Sequence, residues 1–327
     1  MEFNSKVLHI DNIENTSYKI QEFIKNQLIN FKRRGIVIGL SGGIDSAVTV
    51  SLCVKAIGKD KVLGVMMPER DSNPTSKNYA ELLAKKLGIR TELIDLTKIL
   101  DSFSVYQTRD SIVKKNFKPF NNSCKYRLVI QNDILEKDHI AIPFLEVLDA
   151  TNTVHKIKLT LEDYLTITAA TTIKLRVRMT MLYFLAEKNN YLVAGTTNKS
   201  EYVQGYFVKY GDGGVDFDPI VDLYKTQIYQ LAEYLQIPSE IIKRKASPDT
   251  WSFEVSDQEF FFSLPYEIID LLWYAKEQQI PIEKIERSLS LTKEQIIRIF
   301  SDQERKWKNS EHLRNIPPNL KLNVTEK

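Results

Sequence analysis

Cysteine is scarce in this chain: of 327 residues only Cys53 and Cys124 are cysteines. Neither belongs to a Cys-x-x-Cys pair, which argues against structural zinc, and such sparse use predicts a reducing, cytoplasmic setting. Cys53 lies in an apolar helical run and reads as a small buried hydrophobe. Long hydrophobic runs are missing too. No stretch approaches the roughly 18 apolar residues that a membrane span needs, and the polar start Met1-Glu2-Phe3-Asn4-Ser5-Lys6 offers no signal-peptide core. Charge of one sign is also lacking. Lys and Arg number 45 against 42 Asp and Glu, a formal net charge of +3. With no dense basic block, the balance speaks against a nucleic-acid partner and stays compatible with small phosphate-rich substrates. There is no internal repeat and no low-complexity tract. A hydrophobic content of 43% supports a real core, in one large α/β domain or two small ones.

What is present is a short loop, Ser41-Gly42-Gly43-Ile44-Asp45-Ser46. The apolar run Gly35–Leu40 precedes it and the helix-like run Ala47–Leu52 follows. A β-branched strand, a tight glycine turn and a helix start bring backbone N–H groups to one point, an anion cradle reinforced by the helix dipole. The glycines let the backbone approach phosphate closely. Hydroxyls at Ser41 and Ser46 add donors, and Asp45 can hold a cation. A Walker-type loop would end in Gly-Lys-Ser or Gly-Lys-Thr; here Gly58-Lys59 is followed by Asp60. Ser-Gly-Gly-x-Asp-Ser after a strand resembles instead the pyrophosphate loop of the ATP pyrophosphatases, which adenylate a substrate oxygen and release pyrophosphate.

The surrounding pattern alternates. A helix is expected from about Asn12 to Phe31, strands at Val62–Met67, Thr91–Leu96 and Tyr191–Thr196, and helices at Asn78–Leu87 and Leu161–Lys188. This predicts a doubly wound parallel sheet with flanking helices, a Rossmann-like α/β fold with ligands at the C-terminal strand ends. From about Phe103 to Thr168 the rhythm breaks. Ile140–Pro143 and Val154–Leu159 read as short strands around a turn at Asp149–Thr153, an inserted β-hairpin or flap within a single 1–327 domain. The C-terminal third reads as helical, with runs at Tyr224–Leu235, Pro265–Gln278 and Thr292–Phe300, a further helix opened by Pro238, and an extended end at Ile316–Lys321.

A second constellation follows the fourth strand. Glu201 lies in Gly195-Thr196-Thr197-Asn198-Lys199-Ser200-Glu201, and Asp212 in Lys209-Tyr210-Gly211-Asp212-Gly213-Gly214-Val215-Asp216. Glu201 with Asp45 supplies hard oxygen ligands suited to Mg²⁺ on ATP phosphates. Lys225 begins the next helix, where an ammonium can meet a phosphate. Together with Pro219–Gln227 these strings resemble the NAD synthetases of the ammonia-using, single-domain kind. Carried over by position, the resemblance implies that Ser41, Gly43, Asp45 and Ser46, with Gly39 before them, cradle ATP phosphates and Mg²⁺, and that Glu201 completes the metal site. It implies that Thr196 and Arg178 contact ATP, that Lys225 and Ser247 contact the phosphates, and that Asp212 lies by the adenylated carbonyl and the incoming ammonia. Arg176, Lys209 and Asp216 would face the second substrate.

The chemistry so implied has two steps. The nicotinate carboxylate of deamido-NAD attacks the α-phosphorus of ATP, and ammonia then displaces AMP. No glutaminase-like segment is visible in the sequence, so ammonia is expected to come free or from a separate glutaminase, and a homodimer is expected. The departures cluster on the acceptor side. Thr172–Arg176 replaces the usual Asn-x-Lys-Ala-Arg, Ala246–Thr250 and Asp257–Phe262 vary, Leu313-Arg314 stands for Lys-Arg, and the 103–168 insertion is added. Two alternatives therefore stand beside this reading: a relative amidating another carboxylate, such as a sugar acid or secondary metabolite, and a non-catalytic nucleotide-binding or scaffold protein.

Overall fold

Alternating burial along two short strands organises the molecule. In β1 (Gly35–Gly39) Ile36 and Ile38 face one way and Val37 the other; in β2 (Val62–Met66) Val62 and Met66 oppose Leu63 and Val65. The chain is seen in a computed structural model that describes residues 3–130, 134–136 and 143–320. With β3 (Arg90–Leu93) and β7 (Tyr191–Val193), these strands form a parallel sheet of order β3-β2-β1-β7. Strands buried on both faces need helices on both faces. The Ile36–Ile38 face packs on α1 (Ile13–Asn30), α2 (Ile44–Ile57), α3 (Pro74–Leu87) and α8 (Lys225–Tyr234). The Val37 face packs on α4 (Thr97–Ser102), α5 (Val105–Asn116) and α6 (Leu161–Asn189). The doubly wound sheet expected from the sequence is present.

Local chemistry sets the helix ends. Asn12 caps α1 by accepting from Asn15 N. Thr160 caps α6, with Glu162 and Asp163 in its first turn, and Asn190 closes it in the left-handed conformation. After β7 come the short α7 (Lys199–Tyr202), then α8 and α9 (Ser239–Ile242). A π turn at Gln258–Phe262, α10 (Tyr266–Glu277), α11 (Ile282–Leu289), α12 (Lys293–Asn309) and α13 (Glu311–Arg314) complete the chain. The C-terminal helices build their own core around Leu272, Ile285 and Ile296. The helix expected to end at Phe300 runs to Asn309, carried past its apolar stripe by the i,i+4 pairs Asp302–Lys306 and Glu304–Lys308.

The insertion is more than a hairpin. β5 (Pro143–Leu148) and β6 (Val154–Lys158) pair antiparallel around the expected turn at Asp149–Thr153; β5 runs on from Pro143 up to that turn, where no strand was expected, and β4 (Lys125–Ile130) adds a third strand on β5. The strand expected at 140–143 lies, apart from Pro143, outside the described residues. β4 was not anticipated because its partner lies beyond a long intervening segment, so no local turn announces the pairing. Inward-facing Tyr126, Leu128, Leu145 and Val147 meet Val113, Ile167 and Trp251 in one cluster. The unit is thus rooted in α5 and α6. Leu145 is fully buried there, so Leu145→Ala is expected to cost about 2–5 kcal/mol and to lower the single unfolding transition. A separate early transition of the inserted unit in a thermal melt would contradict this common core.

Candidate active site

The parallel sheet places three loops at one edge: residues 40–43 after β1, 67–73 after β2 and 194–198 after β7. In the first, Gly42 takes φ +73°, and a Cβ there would lie 2.2 Å from the Ser76 carbonyl oxygen. Glycine is required both for the left-handed backbone and for this close approach. The contact brings the first turns of α2 and α3 side by side. Gly43 caps α2 with no side-chain hydrogen bond, so the first turn carries no capping side chain. Ser41 Oγ accepts from Gly43 N at 3.2 Å and lies 3.0 Å from Ser46 Oγ, which donates to Gly43 O at 2.9 Å. The two hydroxyls thus order the turn itself.

Beneath this loop the carboxylates gather around one ammonium. Lys225 is 1% exposed. Its Nζ donates to Asp45 Oδ2 at 2.5 Å and lies 3.6 Å from Glu201 Oε1. Asp45 Oδ1 accepts from Asn198 Nδ2 at 2.9 Å. Asn198 and Glu201 form a capping box: Asn198 Oδ1 accepts from Glu201 N at 3.1 Å, and Glu201 Oε2 accepts from Asn198 N at 3.2 Å. Burial works against the Lys225 charge, but Asp45 and Glu201 outweigh it and hold the ammonium above the usual lysine range. Burial, then the charge of Asp45, pushes the Glu201 carboxyl well up. The oxygens of Asp45 and Glu201 are of the kind that could hold a hard divalent cation.

The loops wall a cleft of about 650 Å³, within the range of small-molecule sites. Of the residues singled out from sequence, Gly39, Ser41, Asp45, Ser46, Arg178, Thr196, Glu201, Asp212 and Ser247 line it. Asp212 opens to the cleft's solvent while protein crowds its other sides. Burial pushes its carboxyl up to about 6, against the Val208 N–H, 2.8 Å from Oδ1, and the Arg178 charge, which pull down. Gly43 shapes the turn, and Lys225 lies under Asp45. Arg176, Lys209 and Asp216 are not brought to the lining. Arg176 sits exposed on α6 against Thr172. Lys209 Nζ donates to the carbonyls of His312 and Asn315. Asp216 accepts from Val193 N at 2.8 Å and from Tyr183 OH at 3.1 Å, bonds that tie its loop to the sheet.

Some site residues escaped the sequence reading. Asn198 stands in a quoted motif, and an Asn three residues before a Glu is a capping-box signal that would have marked it. Asp257 lines the same cleft and accepts from the hydroxyls of Tyr206 at 2.9 Å and Tyr266 at 3.0 Å. Burial raises its carboxyl above the usual range. Tyr206 lies far from Asp257 in the chain and Tyr266 nine residues on, beyond the π turn, so no single local pattern assembles the three.

A parallel α/β sheet, a glycine turn at a helix start and paired carboxylates over a buried lysine define a nucleotide-binding protein of the pyrophosphate-loop class. A sequence model of NAD synthase matches residues 16–142 and 137–317. An NH(3)-dependent NAD(+) synthetase of Mesorhizobium japonicum is 39% identical, over 94% of this chain and 96% of its own. One from Methanocaldococcus jannaschii is 34% identical, over 94% of this chain and 97% of its own. The solved NH3-dependent NAD synthetase of Campylobacter jejuni, in complex with the nitrate ion, superposes with a TM-score of 0.63 at 26% identity, covering 96% of this chain and all of that one. The chain belongs to the NAD synthase family.

The loop geometry is directly testable. Gly42→Ala must displace the Ser76 carbonyl or abandon the left-handed turn, and we expect ATP affinity to fall at least about 100-fold with the far-ultraviolet circular dichroism unchanged. Unaltered ATP affinity by titration calorimetry would show that the turn does not shape the nucleotide site.

Proposed function

We propose that this protein is an ammonia-dependent NAD synthetase that adenylates the carboxylate of deamido-NAD with ATP and amidates it with ammonia. The observation that carries the reading is the placing of Asp45 and Glu201 over Lys225 at the foot of the glycine turn. Family membership supports the acceptor. ATP phosphates fit the α2 first turn, with Ser41 and Ser46 fixing the loop and Arg178, Thr196 and Ser247 along the cleft walls. Mg²⁺, held by Asp45 and Glu201, would supply charge neutralisation on the phosphate oxygens. Lys225 keeps the two carboxylates converged and adds positive potential where negative charge builds up on the phosphates.

The balance of the reaction assigns the other groups. A carboxylate oxygen attacks the α-phosphorus, the bond to the β-phosphate oxygen breaks, and pyrophosphate leaves. Ammonia then attacks the acyl carbon, the carbon–oxygen bond to AMP breaks, and one proton is released. Asp212, ionised and facing the cleft, accepts that proton. The acceptor side is read as completed by a second copy of the chain. Arg176 shares an exposed stripe of α6 with Leu161, Leu165 and Thr180, which gives a homodimer a face to cover and brings Arg176 toward a neighbouring subunit.

Purified protein with ATP, Mg²⁺, ammonium and deamido-NAD should yield NAD, AMP and pyrophosphate in equal amounts. AMP formed only with another carboxylate, such as a sugar acid, would replace this acceptor reading. Asp45→Asn should lower pyrophosphate release by at least about 100-fold without unfolding the protein, and retained turnover would remove Asp45 from the site. The pH profile has a definite sign. Asp212 accepts a proton only as the carboxylate, and its surroundings push its carboxyl up to about 6. At constant free ammonia, kcat/KM should therefore fall as pH drops through about 6, and Asp212→Asn should lack that limb. A limb that persists in the variant would assign the titration elsewhere.

A further inference from the structure

A second buried ionic cluster lies outside these assignments. Lys174, on the inner face of α6, has no exposed surface. Its three N–H donors are fully used: Nζ donates to Glu69 Oε1 at 2.8 Å, to Asp71 Oδ2 at 2.7 Å and to the Thr250 carbonyl at 3.0 Å. Asp71 Oδ2 also accepts from Arg109 Nη1 at 2.9 Å, and Glu69 Oε2 from Tyr106 OH at 2.9 Å. The Arg109 guanidinium lies over the rings of Trp251 and Tyr126, 4.4 and 5.2 Å from their centroids. Arg70 pairs with Asp110 through Nη1 and Nη2, at 2.9 and 3.1 Å, and Tyr126 OH donates to Asp110 at 2.7 Å. Three cations thus face three carboxylates. Burial and the Arg109 charge push the Lys174 ammonium down to about 8, partly offset by Glu69 and Asp71, so it is mostly charged at neutral pH.

The position of this cluster matters more than its energy. Burying such a set costs desolvation that an apolar replacement would avoid, so stability alone does not account for it. Its members tie together two adjoining segments of the cleft wall. Glu69 belongs to the segment after β2, and Thr250 to the segment that follows Ser247; both line the cleft, whereas Lys174 and Asp71 do not. Tyr106, Arg109 and Tyr126 come from α5 and β4, so the inserted unit reaches the cleft through the same contacts.

We propose that Lys174 is a positioning residue for ATP: it fixes the spacing of the Glu69 and Ser247–Thr250 walls and couples the inserted unit to nucleotide binding. The inference rests on reading the cleft as the ATP site. Lys174→Met with Asp71→Asn removes one charge of each sign and replaces no cleft-lining residue. This double variant is expected to fold, to bind ATP with Mg²⁺ about tenfold or more weakly by titration calorimetry, and to keep KM for ammonia within about twofold. Lys174→Arg, which can still bridge the two carboxylates, should stay within about threefold of the parent for ATP. A folded double variant with parental ATP affinity, or a parallel rise in KM for ATP and ammonia, would overturn the proposal. Should the double variant not fold, Tyr106→Phe carries the test. It deletes only the one hydroxyl that donates to Glu69 and accepts from Arg70 N, and is expected to weaken ATP binding about threefold or more; parental affinity there overturns the proposal equally. Failure of the functional reading shows differently, as a parent protein that binds ATP without amidating deamido-NAD.

Discussion

The buried ammonium of Lys225 is the contact on which the site depends. Without it, Asp45 and Glu201 would be two carboxylates crowded at a strand end, and their mutual repulsion would spread the loops after β1 and β7. Lys225 holds them together from below, while Asn198 fixes Asp45 from the side and caps the helix that carries Glu201. On the proposed reading, the arrangement is already in place before a cation and phosphate bind, so little reorganisation would be needed as charge develops. The parallel sheet contributes by ending β1, β2 and β7 at one edge. Cross-sheet burial of Ile36, Val37 and Ile38 then keeps those ends in register.

A common core extends this control to the inserted unit. Its three-stranded sheet packs on α5, α6 and Trp251 rather than projecting into solvent. The Lys174 cluster and this apolar core converge on the same part of the cleft, one through charge and the other through packing. The cleft therefore has two buried lysines with different neighbours. Lys225 lies under the phosphate loop, raised by the carboxylates it holds. Lys174 lies behind the wall, lowered by burial and Arg109.

Legibility in the sequence followed locality. The strand–turn–helix around Ser41–Ser46 and the long α6 are written in consecutive residues, so periodicity and turn chemistry disclosed them. Resemblance to a family brought Asp212 and Lys225 into one site although they lie far along the chain from the loop. Neither source disclosed Asp257, whose carboxylate is defined by hydroxyls from Tyr206 and Tyr266, or β4, which pairs across a long connection. The expectation that Lys209 and Asp216 face a substrate had no way to anticipate the backbone groups they engage: the carbonyls of His312 and Asn315, and the N–H of Val193. Such partners are chosen by tertiary packing, which leaves no pattern in a short window.

The proposed reaction is defined by which bond of ATP is broken. Deamido-NAD labelled with ¹⁸O in its nicotinate carboxylate, turned over with ATP, Mg²⁺ and ammonia, should transfer one labelled oxygen to the phosphate of AMP and none to pyrophosphate. Label in inorganic phosphate alongside ADP, or AMP free of label, would contradict attack of the carboxylate on the α-phosphorus and with it the role given to the Ser41–Ser46 loop.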